Sequence, residues 1–156
     1  MKRKILILED NLVELETAFN ELSKDNIYDV ETTSDTAEAD DQIENGKGKL
    51  FDCLIIDLNI TNEYLDDSLR SKTHGGSLTG WVWLYNVAKK DIRNDIKIII
   101  YSEFIKELTD EMEDNKNIND KEIEYFNNIK LISKADAVNG SDHLLEEVNN
   151  LFRKKG

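Results

Sequence analysis

The sequence predicts an α/β protein built on a parallel β-sheet with helices on both faces. Three observations predict it. Short apolar runs alternate with segments whose apolar residues recur at helical spacing. The runs are continuously apolar rather than alternating, as in strands covered on both sides. A chain of 156 residues with 39% hydrophobic residues suits one domain with one core.

Lys4 to Leu8 is a short buried strand that ends in Glu9 and Asp10. Leu12, Leu15, Phe19 and Leu22 then recur at helical spacing and predict an amphipathic helix over about 11–24. Tyr28 to Thr33 is a weaker strand. Thr36 to Asn45 is a polar helix stopped by Gly46 and Gly48. Phe51 to Asp57 is a strongly apolar strand ending in an acid. Residues 58–79 are polar, carry Gly75-Gly76 and show no sustained period, which predicts a long loop. Trp81, Leu84, Tyr85 and Ala88 mark a helix to about Asp91. Within it, Trp81 and Trp83 lie two apart, so one is expected against the sheet and the other toward the loop. Ile96 to Tyr101 is the next buried strand, ending at Ser102. Residues 104–128 are highly charged and mostly helical, with a break near Asn115 to Asn119. Lys130 to Ser133 is a last strand ending at Lys134. Leu144, Leu145, Val148, Leu151 and Phe152 form a closing amphipathic helix.

The net charge is −13, from 20 basic and 33 acidic residues, and the pI is near 4.6. This argues against nucleic-acid partners, whose phosphates are met by clustered Lys and Arg. It argues equally against anionic membrane surfaces, and it permits divalent cations and basic proteins. One cysteine, Cys53, excludes an internal disulfide and a multi-cysteine zinc site; mid-strand, it is expected to be buried and inert. Two isolated histidines, His74 and His143, offer no His-rich metal cage and receive no role. The start Met1-Lys2-Arg3-Lys4 is followed by only four apolar residues, too few for a secretion signal. No apolar run approaches membrane-spanning length. The expected compartment is a reducing cytoplasm.

In open sheets of this kind, ligands bind beyond the carboxyl ends of the strands. Strand one ends in Glu9-Asp10. Strand three ends in Asp57, with Asn59 two residues on. Strand four ends in Ser102 and strand five in Lys134. If these strands are neighbours, three carboxylates, a hydroxyl and an ammonium share one crevice. Clustered carboxylates raise each other's pKa unless a cation sits among them. A few oxygen ligands with room for water suit magnesium. A metal and a lysine flanking a carboxylate would stabilise an incoming phosphoryl group, and a carboxylate can accept one as an aspartyl phosphate. Taken singly, each residue has a plainer role. Asp10 could cap the next helix, Ser102 could cap the helix at Phe104, and Lys134 could be a solvated end charge.

The sequence resembles the receiver domains of two-component response regulators, in the flavodoxin-like fold. The resemblance rests on Ile5-Leu6-Ile7-Leu8-Glu9-Asp10-Asn11, Asp52-Cys53-Leu54-Ile55-Ile56-Asp57, Gly80 ahead of the third helix, Ile98-Ile99-Ile100-Tyr101-Ser102 and Leu131-Ile132-Ser133-Lys134. It covers essentially the whole chain and is similar to the single-domain, chemotaxis-type members, so 1–156 is expected to be one receiver domain with no output domain. It implies a doubly wound five-stranded sheet of order 2-1-3-4-5. It further implies that Asp57 accepts a phosphoryl group from a histidine kinase or phosphotransfer protein. Glu9, Asp10, Asp57 and the backbone carbonyl of Asn59 would hold Mg2+, with Ser102 and Lys134 contacting the phosphoryl group. Signalling would then pass to a downstream protein, and the domain would have slow autophosphatase activity rather than being a conventional enzyme.

The chain also departs from that family. Gly80 stands 23 residues beyond Asp57, far later than usual, so roughly Asn62 to Leu78 is an insert that begins acidic (Glu63, Asp66, Asp67) and turns basic (Arg70, Lys72, His74). It could be a tolerated surface insertion, a gate or a docking element. The region 104–128 is lengthened. Glu103 replaces a small residue, Leu131 the switch aromatic, and Ala135 a proline. These changes motivate a second reading, a pseudo-receiver that binds partners without phosphoryl chemistry. A third is a haloacid-dehalogenase-type phosphatase, whose motif Asp57-Leu58-Asn59-Ile60-Thr61 mimics. That motif wants a second acid at Asn59 and normally lies on the first strand.

Overall fold

The computed structural model describes residues 2–136 and 142–153. Met1, at the head of the charged start, and parts of the 1–156 span lie outside the described residues. Five strands, β1 (Arg3–Leu8), β2 (Tyr28–Thr33), β3 (Cys53–Ile56), β4 (Lys97–Ser102) and β5 (Lys130–Ser133), form one all-parallel sheet of order β2-β1-β3-β4-β5. Among the described residues, seven helices accompany them: α1 (Leu12–Ser23), α2 (Thr36–Ile43), α3 (Asp67–Arg70), α4 (Thr79–Asn86), α5 (Ile105–Asp114), α6 (Asp120–Asn127) and α7 (His143–Arg153).

The two-residue period of the strands splits their side chains between two cores. Ile5, Ile7, Cys53, Ile55 and Ile99 pack with Leu15, Ala18 and Leu22 of α1 and Leu144, Leu145 and Val148 of α7. Leu6, Leu8, Leu54, Ile56, Ile98 and Ile100 face the opposite way, against α2, α4 and α5. The central strands are therefore continuously apolar over 5–8, Cys53–Ile56 and 98–100, and each fully buried Leu or Ile contributes roughly 1.5–3 kcal/mol over an exposed one. Cys53 is sealed in the first core, where burial raises its thiol pKa.

Helix starts follow local capping chemistry. The Asn11 side chain accepts from the backbone N–H groups of Val13 and Glu14, and Asp35 and Asn119 do the same for α2 and α6. Both helices of the charged 104–128 region form, with the break at 115–119 supplied by the Asn119 cap. The helix expected to reach Asp91 stops at Asn86 and continues as a 3-10 turn over Ala88–Asp91. Gly80 lies within the first turn of α4 rather than ahead of it. Trp83 is fully buried and donates to Asp40. Trp81 is buried too, stacked on Tyr85 and donating to Glu122 of α6.

The largest departure from expectation is at 58–79, which is structured rather than a plain loop. It carries α3, and Leu65 and Leu78 are buried in the core beneath α4. Thr73 is fully buried; its hydroxyl donates to the Arg70 carbonyl and lies in hydrogen-bond range of Asn62 Nδ2 and the Gly76 N–H. The Arg70 guanidinium gathers the carbonyls of Asn62, Glu63 and Leu65. A polar sequence without periodicity is ordered here by side chains that satisfy backbone groups.

Candidate functional site

Strand order brings the carboxyl ends of β1, β3 and β4 side by side at the centre of the sheet, with β5 next to β4. Glu9 and Asp10 follow β1, and Asp57 follows β3. One carboxylate oxygen from each of these three residues lies within 4.8 Å of the others. Glu9 and Asp57 are buried, while Asp10 is the exposed member. Lys134, just past β5, reaches over the group. Its ammonium pairs with Glu9 and Glu14 and lies 3.3 Å from Asp57 Oδ2. The other Asp57 oxygen accepts the Leu58 N–H at 2.7 Å. Fully buried Ser102 stands beside it: its Oγ lies 3.4 Å from that same Leu58 N–H and accepts the Phe104 N–H at 3.1 Å. Glu9, Asp10, Glu14, Asp57 and Lys134, with Asn59 and Glu103, line a cleft of about 220 Å³ open to solvent; Ser102 is not part of that lining.

The electrostatics follow from the crowding. Burial raises the Glu9 pKa to about 7, with Asp57 adding to the shift and the Lys134 hydrogen bond opposing it. Burial also raises Asp10, and Asp57 adds to it, against the backbone N–H groups of Thr61 and of Asp10 itself. For Lys134, burial disfavours the charge. Hydrogen bonds to Glu14 and Glu9 and the charge of Asp57 outweigh it and hold its pKa above the usual lysine range. A single ammonium thus serves several carboxylates. The remaining oxygen donors suit a hard divalent cation.

Gly80 fixes the backbone under the site. A Cβ there would lie 2.0 Å from the Asp57 carbonyl oxygen and 2.9 Å from Ile56 Cγ2. Its own N–H donates to the Leu58 carbonyl at 3.0 Å. Only glycine lets α4 begin this close to the Asp57 turn.

Of the strand-end residues singled out in the sequence, Glu9, Asp10, Asp57, Asn59 and Lys134 line this cleft, while Ser102 lies buried beside the Asp57–Leu58 turn. Glu103 also lines it and is exposed. Leu131 packs half-buried against the α4–α5 core, and Ala135 is exposed. Sequence reading missed Glu14, which ties Lys134 to α1; the signal was its place one helical turn beyond Asp10. It also missed Tyr101, whose ring centroid lies 5.6 Å from the Lys134 ammonium. Among the described residues, no helix is long and apolar enough to cross a membrane.

No family model matches the chain, and no curated protein matches it in sequence. Solved structures do match. A CheY-like response regulator receiver domain protein from Methanospirillum hungatei JF-1 is 17% identical, with 97% of this chain and 94% of that one covered, at a TM-score of 0.60. The response regulator protein TrrA from Thermotoga maritima, in complex with Mg(2+)-BeF, is 17% identical over 96% of this chain and 98% of that one, at 0.61. The phosphorylated cyanobacterial phytochrome response regulator RcpA is 16% identical over 97% and 94%, at 0.59. At these identities the likeness shows the fold, that of the CheY-like receiver domains.

Proposed function

We propose that this chain, which has the receiver-domain fold, accepts a phosphoryl group on Asp57 from a phosphohistidine of a histidine kinase or phosphotransfer protein, in a magnesium-dependent reaction. It would then signal to a downstream protein through surface contacts, in the cytoplasm. The observation that carries this reading is the gathering of Glu9, Asp10, Asp57, Ser102 and Lys134 around one cleft at the carboxyl edge of the sheet. That two structures of the same fold hold a phosphoryl group or its fluoride mimic supports it.

The chemistry asks for a positioned nucleophile and positive charge where the phosphoryl oxygens arrive. Asp57 supplies the nucleophile: one of its oxygens bonds to phosphorus while the donor's P–N bond breaks and the imidazole leaves. Leu58 N–H and Gly80 hold the Asp57 backbone and side chain still during attack. Lys134 brings an ammonium within 3.3 Å of the acceptor. Glu9, Asp10, Asp57 and the Asn59 carbonyl would hold magnesium, which supplies further positive charge when bound. The Ser102 hydroxyl stands next to Asp57, placed to donate to the phosphoryl group. Slow hydrolysis by water would reset the domain. Leu12 and Val13, 69% and 77% exposed at the start of α1, give the rim an apolar edge on which a donor protein could dock.

A second reading, a binding module without phosphoryl chemistry, draws on one observation: Lys134 is engaged by Glu9 and Glu14, with Glu103 lining the cleft. One experiment separates the two. Incubation with magnesium and acetyl phosphate should add a single phosphate by intact mass, and Asp57→Asn should abolish it. Full labelling of that variant would refute Asp57 as acceptor, and an unlabelled parent protein would favour the binding module. Multiple turnover on a phosphomonoester would instead indicate a phosphatase.

A further inference from the structure

We infer that a second cavity, between the 62–78 insert, α4 and the α5–α6 pair, binds a small amphipathic organic cation: an ammonium or guanidinium group on a short apolar stem. The cavity measures about 340 Å³, larger than the cleft at Asp57, and shares none of its lining residues. That is within the range of small-molecule sites and holds on the order of a dozen non-hydrogen atoms at about 30 Å³ each. Leu78, Val82, Met112 and Ile118 give it an apolar floor.

The hydrogen-bond accounting sets the ligand's chemistry. Each Glu111 oxygen already has a partner: one pairs with His74 at 3.1 Å and the other accepts from the Asn115 amide. Glu122 accepts the Trp81 indole N–H through one oxygen at 2.9 Å, and its other oxygen has no partner among the described residues. Asn86 donates to the Val82 carbonyl, which leaves its amide oxygen free among the described residues. Lys72 and Asn117 carry donors on the same lining, but the capacity left open beside Trp81 is the second Glu122 oxygen, an acceptor, so a ligand seated there must bring a donor. The α5–α6 wall adds the sign of the field, with eight acids against three lysines between Ile105 and Asn127. His74 is engaged by Glu111, and Lys72 is an exposed residue at the mouth whose ammonium can extend into water. An anion would meet two carboxylates instead.

The two tryptophans make the test internal to the protein. The Trp81 indole N–H points at Glu122 in this cavity, while that of Trp83 bonds Asp40 elsewhere. The full chain is titrated with phenethylamine and, separately, agmatine, and both indole N–H signals are followed by NMR. 2-Phenylethanol and 3-phenylpropanoate serve as neutral and anionic controls. The Trp81 signal should move saturably with at least one amine while Trp83 stays in place, and the controls should bind at least tenfold more weakly. Glu122→Gln keeps an acceptor for the indole and should weaken the amine by about tenfold or more, the share of a charge-assisted hydrogen bond. Asn86→Leu, at an exposed position on the rim, removes the other open acceptor and should weaken amine binding severalfold with the Trp83 signal unchanged. The inference is overturned if neither amine moves Trp81, if amine, alcohol and acid bind alike, or if both variants bind the amine as the parent does.

Discussion

Glu9 has 5% of its surface exposed and shares its space with Asp57, so ionising it costs the folded state. Its pKa rises from an ordinary 4.5 to about 7 on folding. Between those values the folded protein binds the extra proton, so Glu9's contribution to stability is fully present below about pH 4.5 and is lost as pH rises through about 7. The whole effect is on the order of 3 kcal/mol. In metal-free buffer, urea denaturation of the parent should therefore lose stability between pH 5 and 8 relative to Glu9→Gln. Parallel pH profiles for the two would contradict the assignment. Glu103 acts on kinetics instead. It lines the entry to Asp57 with a negative charge, and at a few ångströms and intermediate dielectric like charges cost on the order of 1 kcal/mol. Glu103→Ala should speed labelling by acetyl phosphate about five- to tenfold; equal rates would refute this gating.

Between residue and molecule, α4 shows how one missing side chain positions an element. Alanine is the better helix former by about 1 kcal/mol, so propensity alone favours Gly80→Ala. The 2.0 Å approach to the Asp57 carbonyl oxygen reverses that, because the obstacle is backbone and cannot swing aside. Forcing α4 outward should cost at least the 1–3 kcal/mol typical of overpacking. The urea midpoint of Gly80→Ala should fall; a midpoint equal to or above the parent's would show that α4 gives way freely. The insert before α4 works by the opposite means. It has few apolar anchors, and Thr73 and Arg70 hold it by meeting its backbone groups.

At the scale of the molecule, a net charge of −13 works against compactness, and the carboxylate cluster concentrates part of that repulsion at one edge of the sheet. A cation that binds there only in the folded state stabilises it by mass action, about 2.7 kcal/mol at a hundred times its dissociation constant. For a chain of this length that is a rise of several degrees in Tm. Magnesium should thus raise the Tm of the parent, and Asp10→Ala should remove the response. A parent whose melting ignores magnesium would count against the site.

Much of this was legible in the residues because its causes are local. The apolar runs of β1, β3 and β4, the helical spacing of Leu15 and Leu22, the cap at Asn119 and the acids closing β1 and β3 all act within a few neighbours. Strand ends are where open parallel sheets place ligands, so Glu9, Asp10, Asp57, Ser102 and Lys134 could be singled out together before their distances were known. Contacts between distant segments could not. Lys134 meets Glu14 across 120 residues, a pairing decided by where β5 and α1 come to lie in the packed sheet. The order of the insert, and the cavity it forms with α5 and α6, depend on buried Thr73, Leu65 and Leu78 finding partners that no period announces. Sequence by itself determined the elements and the chemistry at their ends, because periodicity and capping are short-range. Only the tertiary structure decided which charges neutralise each other and why position 80 has room for nothing larger than glycine, because those depend on distances between segments far apart in the chain.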